Sequence, residues 1–199
     1  MALRVDPRVT GSGGTFTPAH VGPVFANAGY CGHSFNEGLL RFHDSESGPT
    51  FREHVRTAFP ELIGVDADVV AFDWQGRQIV TTNQGDPSDP VLVVADIGRG
   101  EMGEFGLLSE FTGILREDDL VAQLFNEAFF KSWKESVGAS GAGLSFTDCA
   151  AFSVPLYLGG QAEAANIELI DMDVNWTIGT QIWEQVRDLP PGTPVSLAL

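Results

Sequence analysis

Apolar and polar residues alternate most clearly in the middle of the chain. Asp68 to Trp74 (DVVAFDW), Arg77 to Thr82 (RQIVTT) and Pro90 to Asp96 (PVLVVAD) are rich in β-branched and aromatic residues, which suit a pleated, half-buried surface. Gln75-Gly76 predicts a tight turn between the first two, and Gln84 to Asp89 a loop before the third. On either side the period becomes helical. Phe51, Val55, Ala58 and Phe59 recur at i, i+4, i+7 and i+8, so Pro49 to Phe59 is expected to form an amphipathic helix that Pro60 closes. Leu107 to Leu115 and Leu120 to Trp133 read the same way. In the second, Leu120, Leu124, Ala128 and Lys131 lie on one line and Val121, Phe125 and Phe129 on the next. Glu117, Asp118 and Asp119 then fall at its first turn, where the helix dipole favours negative charge.

The ends carry weaker patterns. Residues 1–16, with Gly11, Gly13 and Gly14, read as a flexible leader. Thr17-Pro18 then opens a helix of about ten residues, Pro taking the first helical position. Leu39 to Phe42 predicts a short strand and Asp44 to Pro49 its turn. Gly138 to Gly143 (GASGAG) reads as a flexible loop. Beyond it come a strand over Phe152 to Leu158 ending at Gly159-Gly160, a strand over Ile167 to Met172, and a helix from Trp176 closed by Pro190, Pro191 and Gly192. Trp176, Ile178, Ile182 and Trp183 recur at helical spacing and are expected in or near the core. The whole predicts an α+β fold: a single compact unit whose mixed or antiparallel sheet is flanked by helices and completed by the two C-terminal strands.

Composition narrows the class. The 199 residues are 43% hydrophobic, with fourteen Phe and four Trp, enough for one sizeable core. No apolar run approaches the roughly 20 residues that cross a bilayer, and the N-terminus has no apolar export segment, so a cytoplasmic location is expected. Cys31 and Cys149 lie too far apart for a paired metal or redox motif and read as free thiols. Charge is uneven. Gln84 to Leu199 holds 18 acids against five bases, net −13, whereas the first 83 residues hold nine acids and six bases, net −3. Such a field repels nucleic acid and anionic lipid and accelerates association with a basic partner.

Candidate chemistry is thin. Gly98-Arg99-Gly100-Glu101-Met102-Gly103 matches GxGxxG after a strand, but Glu101 and Glu104 would set carboxylates against a dinucleotide's phosphates, so it reads as a strand-to-helix turn. All four histidines, His20, His33, His43 and His54, lie in the first 54 residues. A zinc site from Cys31, His33 and His43 lacks the usual two spaced ligand pairs. Ser109, Ser145 and Ser153 carry no nucleophile motif, and the second half has no histidine to serve as base. Asp171 and Asp173 would share one face of a strand, where they could bind a cation or act as paired acids, but without a partner cluster they read as solvated edge carboxylates or, for Asp173, a helix N-cap. The expectation is a protein that is not an enzyme and binds no nicotinamide, flavin or zinc.

The order FDWQGRQ from Phe72, VLVVADIGRGE from Val91, LFNEAFFKSW from Leu124, VPLYLGG from Val154, NIELIDMDVNW from Asn166 and DLPPGT from Asp188 resembles the C-terminal domain of the type VI secretion DNase-immunity family, over residues 67–199. Residues 17–66 resemble the GAD-like region that precedes it. The resemblance implies one continuous unit that binds and occludes a co-encoded, secreted bacterial toxin, most often a nuclease, and it carries over no catalytic residue. A basic nuclease cleft would suit the acidic half, and an NAD-degrading toxin or a small ligand-binding or enzymatic domain are the alternatives. Loops and helix ends present charge outward, so the residues expected to meet the toxin are Asp86, Asp89, Glu101, Glu104, Glu117, Asp118 and Asp119. The sequence fixes no oligomeric state.

Overall fold

The computed structural model describes residues 3–138, 143–190 and 193–196. Most of the glycine-rich loop, and Pro191-Gly192, which were expected to close the last helix, therefore lie outside the described residues. Seven strands form one antiparallel meander in chain order: β1 (Val5–Thr10), β2 (His33–Phe35), β3 (Leu40–Phe42), β4 (Asp68–Asp73), β5 (Gln78–Asp86), β6 (Asp89–Asp96) and β7 (Glu101–Leu107). Three lie before residue 67 and four after it, so both sequence regions build the same sheet. The fold is α+β and a single unit.

Helices cover both faces, which is why every residue of β4 is buried. On one side α3 (Leu108–Ile114), α4 (Asp118–Leu124) and α5 (Glu127–Ser136) bring Phe111, Val121, Phe125, Phe130 and Trp133 onto Val70, Trp74, Ile79 and Leu92. On the other, α2 (Ser47–Ala58) and α6 (Met172–Val186) bring Phe51, Val55 and Trp176 onto Val69, Phe72, Val80 and Ala95. Trp74 is fully buried and its indole N–H donates to the Phe125 carbonyl at 2.9 Å, so the largest apolar side chain leaves no polar atom unpaired.

The central hairpin, the third strand and α2 stand where the pattern puts them, α2 starting two residues early at Ser47. Several other expectations are corrected. The leader is no leader: β1 pairs with β2 as the edge of the sheet, Leu3 is buried, and Asp6 accepts from Ser34 Oγ and from the Glu37 and Gly38 amides. The helix after Pro18 shrinks to α1 (Val24–Asn27), because His20 and Gly22 both take positive φ and break the run. The loop Gln84 to Asp89 is mostly strand, with Asp86 opposite Asp89 at the hairpin tip. Leu120 to Trp133 divides into two helices at Asn126, which sits in the left-handed region that Asn tolerates. Of the strand expected over Phe152 to Leu158, only Phe152 is in a strand. β8 (Asp148–Phe152) ends there, and Pro155 and a left-handed Gly159 bracket a single 3-10 turn.

β8 and β9 (Ile167–Asp171) form a sheet of their own instead of extending the large one. They dock on the β4–β5 turn, where the Ala150 amide donates to the Trp74 carbonyl at 2.8 Å. The last helix starts at Met172, four residues before Trp176, capped by Asp171, whose carboxylate accepts from the Val174 amide at 3.1 Å. Asp173 is thus neither the cap nor the partner of Asp171 on a strand. It lies in the first helical turn, 2.5 Å from His54 Nε2 of α2. Trp176 and Ile182 are buried and Trp183 is half-buried, but Ile178 is 39% exposed and faces outward.

Candidate functional site

Three polar arrangements stand out, two internal and one on the surface. The first lies at the start of α2. Asp44 and Ser47 cap the helix reciprocally: Asp44 Oδ1 accepts from the Ser47 amide at 2.8 Å and the Glu46 amide at 3.1 Å, while Ser47 Oγ accepts from the Asp44 amide at 3.1 Å. The other Asp44 oxygen takes the Gly13 amide at 2.9 Å. Burial works to raise this carboxyl, but the donors from Ser47, Gly13 and Glu46 outweigh it and hold it below the usual carboxylate range. A Cβ on Gly11 would stand 2.0 Å from Asp44 Oδ2, and one on Gly13 would stand 2.8 Å from Asp44 Cγ. The N-terminal glycines therefore allow close approach to a carboxylate and do not mark a mobile tail.

Behind Ser47 lies His43, wholly buried, with Nδ1 3.0 Å from Ser47 Oγ and Nε2 2.8 Å from Gln78 Oε1. Gln78 is oriented by donating its Nε2 to the Gly76 carbonyl, so its oxygen faces the ring and His43 Nε2 carries the proton, while the one Ser47 hydroxyl proton lies between His43 Nδ1 and Asp44 Oδ1, the latter at 2.9 Å. A recess of about 460 Å³ opens beside this set, lined by Gly11, Ser12, Asp44, Ser47, Phe51 and Phe146. The serine–histidine contact has the atoms of a nucleophile and base but not the surroundings. Asp44 already holds the amides at the N-terminus of α2, and its charge beside Ser47 opposes any oxyanion. The arrangement caps and pins α2.

The second arrangement joins the two sheets. Arg41 of β3 is completely buried. Its Nη1 donates to the Ser145 carbonyl at 2.8 Å and to that of Asp148, and its Nη2 donates to the Asp73 carbonyl at 2.9 Å. The guanidinium lies 4.6 Å over the Phe72 ring, and no carboxylate pairs with it among the described residues. Desolvation lowers it to about 10, so it stays charged at neutral pH. Next to it Asp73 closes the β4–β5 turn through the Gln75 and Arg77 amides and the Arg77 side chain.

The GxGxxG turn is a hairpin between β6 and β7 and not a strand-to-helix turn. Asp96 takes the Arg99 amide at 3.0 Å and the Arg99 side chain, so the turn's own carboxylate occupies the donors a phosphate would need. Packing explains the glycines: a Cβ on Gly98 would meet Phe152 at 3.0 Å and one on Gly100 would meet Trp183 at 2.5 Å. Burial pushes the Asp96 carboxyl up to about 6 even though Arg77 and Arg99 pull it down.

His43 and Asp96 have opposite effects on stability as the pH changes. Burial lowers His43 to about 4. Below pH 6.5 the unfolded chain takes up a proton that the folded chain refuses, and up to about 3 kcal/mol of stability is lost between pH 6.5 and 4. Asp96 is protonated in the folded chain up to about pH 6 but only to about 4 when unfolded. Its term grows as pH falls over the same interval, by a similar amount. The two offset each other in the parent. Asp96→Asn removes one side of the balance, so this variant is expected to lose about 2 kcal/mol more than the parent between pH 6.5 and 4.5 in urea unfolding. Parallel curves for parent and variant would show that the Asp96 carboxyl takes up its proton alike in the folded and the unfolded chain.

The third arrangement is the acidic surface. Asp86 and Asp89 face each other at the β5–β6 tip, Glu101 and Glu104 lie on β7, Glu117 precedes α4, and Asp118 and Asp119 fill its first turn. All but Asp89 are exposed, and none of the seven forms an ion pair among the described residues. The hairpin tip, β7 and α3 are contiguous, because Asp89 accepts from Ser109 N at 2.8 Å and Ser109 Oγ at 2.7 Å. Asp89 is therefore tied to the start of α3, a contact between residues 20 positions apart that no local pattern encodes. The seven carboxylates converge on no single pocket. Cys31 donates to the Phe16 carbonyl and Cys149 is buried, both free thiols. Cys31, His33 and His43 are not brought together: no group of three or more His, Cys, Asp or Glu among the described residues is placed to hold a metal. No helix among the described residues is long and apolar enough to cross a membrane.

No family model matches the chain and no curated protein matches it. Among solved structures it is similar to the crystal structure of Atu4351 from Agrobacterium tumefaciens, with 14% identity, a TM-score of 0.56, and 87% of this chain covering 85% of that one. At that identity the likeness is one of fold.

Proposed function

We propose that the chain is an immunity-type inhibitor that binds a basic toxin domain and blocks its active cleft, acting in the cytoplasm without catalysis or cofactor. The observation that carries this reading is the set of seven carboxylates on the second half of the fold, six of them exposed and none neutralised by a neighbouring base. Holding so much like charge on one half of a small fold costs stability through self-repulsion, and a basic partner relieves it. The resemblance of residues 67–199 to DNase-immunity proteins points to a nuclease, whose substrate cleft is basic. The surface is equally unsuited to nucleic acid itself.

The test is co-expression with the secreted protein encoded next to this chain. The parent is expected to restore growth to cells making the toxin domain. Glu101→Lys with Glu104→Lys is expected to restore it only partly, with an association rate lowered several-fold at low salt. Toxicity that the parent does not relieve would end this reading. Relief by the parent together with depletion of NAD by the toxin alone would keep the inhibitor and replace the nuclease with an NAD-degrading target.

A further inference from the structure

We infer that the outer edge of β7 is the seat of the partner, which adds an extended basic segment to the sheet as an eighth strand. This rests on the inhibitor reading above and specifies its mode of contact. β7 is the last strand of the meander and, among the described residues, no strand pairs beyond it.

The register identifies which backbone groups are open. The Asp73 amide donates to the Arg77 carbonyl, so that pair is hydrogen-bonded, and inward and outward groups alternate from there across an antiparallel sheet. Following Gln78 to Ala95 and Ala95 to Met102, the backbone groups of Gly103 turn toward Val94, while those of Met102 and Glu104 turn away from β6. An independent contact agrees. The same alternation, carried past the bulge at Phe105, turns the Leu107 amide outward, and that amide is taken by the Glu110 carboxylate at 2.8 Å. The chain caps one outward amide of this edge with its own side chain, and no described residue takes those of Met102 and Glu104.

The two edges of the sheet differ. β1 carries Pro7 and a register slip between Val5 and Thr10, the devices that keep an edge from pairing. The open stretch of β7 has neither. Gly103 also lacks an internal reason to be glycine: its φ is not in the left-handed region, and a Cβ there would meet only Val94 Cγ1 at 3.7 Å, an ordinary contact. A glycine within a strand fits the close approach of another backbone. Glu101 and Glu104, three residues apart, project from opposite faces of the strand. The matching segment therefore carries two Lys or Arg three residues apart, one for each face, and draws its affinity from main-chain hydrogen bonds.

The probe is a capped seven-residue peptide of Thr and Val with lysines at its second and fifth positions, titrated into isotope-labelled full-length protein and followed by NMR. Shifts are expected at the Met102 and Glu104 amides, with cross-strand contacts to the peptide, while Gly103 stays nearly still. Glu104→Gln keeps the outward N–H and removes the charge. Glu104→Pro removes both and, as Pro7 does on β1, spares the ladder to the neighbouring strand. The proline variant is expected to bind the peptide about tenfold more weakly than the glutamine variant. Equal affinities, or shifts spread over Asp86 and Glu117 to Asp119 without cross-strand contacts, would overturn the inference. If the proline variant does not fold, the shift pattern of the parent still decides. In cells, full protection by a folded Glu104→Pro variant would sink the added strand and leave the inhibitor intact, whereas no protection by the parent would sink the inhibitor.

Discussion

Replacing Arg41 with alanine is expected to destabilise the fold by about 3 to 5 kcal/mol, the range for breaking a buried charged hydrogen-bond set. The loss comes from what is left behind. The carbonyls of Asp73, Ser145 and Asp148 converge on one guanidinium inside the protein. Without it they are desolvated acceptors with no donor, and the seam between β3 and the start of β8 contains a cavity. Arg41→Lys keeps the charge but loses the planar fork that reaches three carbonyls at once, so it is expected to recover less than half of the loss. Urea unfolding measures both. A change under about 1 kcal/mol for Arg41→Ala would mean that water reaches these carbonyls freely.

Trp176→Ala is expected to cost a similar amount, about 3 to 5 kcal/mol. The side chain is completely buried, its indole N–H donates to the Gly76 carbonyl at 2.8 Å, and it packs edge-on against Phe59 with centroids 6.4 Å apart. Truncation removes a core volume shared by α6, α2 and the sheet, and leaves the Gly76 carbonyl in the β4–β5 turn with the longer Gln78 hydrogen bond alone. Trp183 is the internal comparison. It is half-buried, tilted at 56° against Tyr157 with centroids 5.0 Å apart, and its alanine variant is expected to cost roughly 1 to 2 kcal/mol. If Trp183→Ala proves the more damaging, the last turn of α6 is more deeply packed than its exposure indicates.

How far the fold was legible depends on how local its causes are. β4, β5 and β6 declared themselves through β-branched and aromatic runs because they are the strands buried beneath helices on both faces. α2 declared itself through Phe51 and Val55, which both face the core. The N-terminal arm was misread because glycine has two uses. Gly11 and Gly13 serve close contact with Asp44, a residue more than 30 positions away, and only the D-x-x-S spacing of Asp44 and Ser47 could have hinted at it. The break at Asn126 rests on one residue's tolerance for left-handed φ. Sheet membership of β8 and β9 depends on docking against the Trp74 turn, which no local pattern encodes. On the surface the outward placement of Glu101, Glu104 and Glu117 to Asp119 followed from turn and helix-end reasoning, whereas the Asp89 tie to Ser109 and the two open amides of β7 exist only once strands are paired.

The most direct measurement of the central claim is the association rate of this chain with the proposed toxin domain, to be sought in the neighbouring reading frame, followed by stopped-flow fluorescence from 20 mM to 500 mM salt. The Debye length falls from about 20 Å to about 4 Å over that range. A carboxylate-rich surface meeting a basic cleft predicts a rate that drops steeply with salt, while dissociation changes little and Glu101→Lys with Glu104→Lys flattens the dependence. Failure to form a complex, or a complex whose association rate is the same at every salt concentration, would contradict the account.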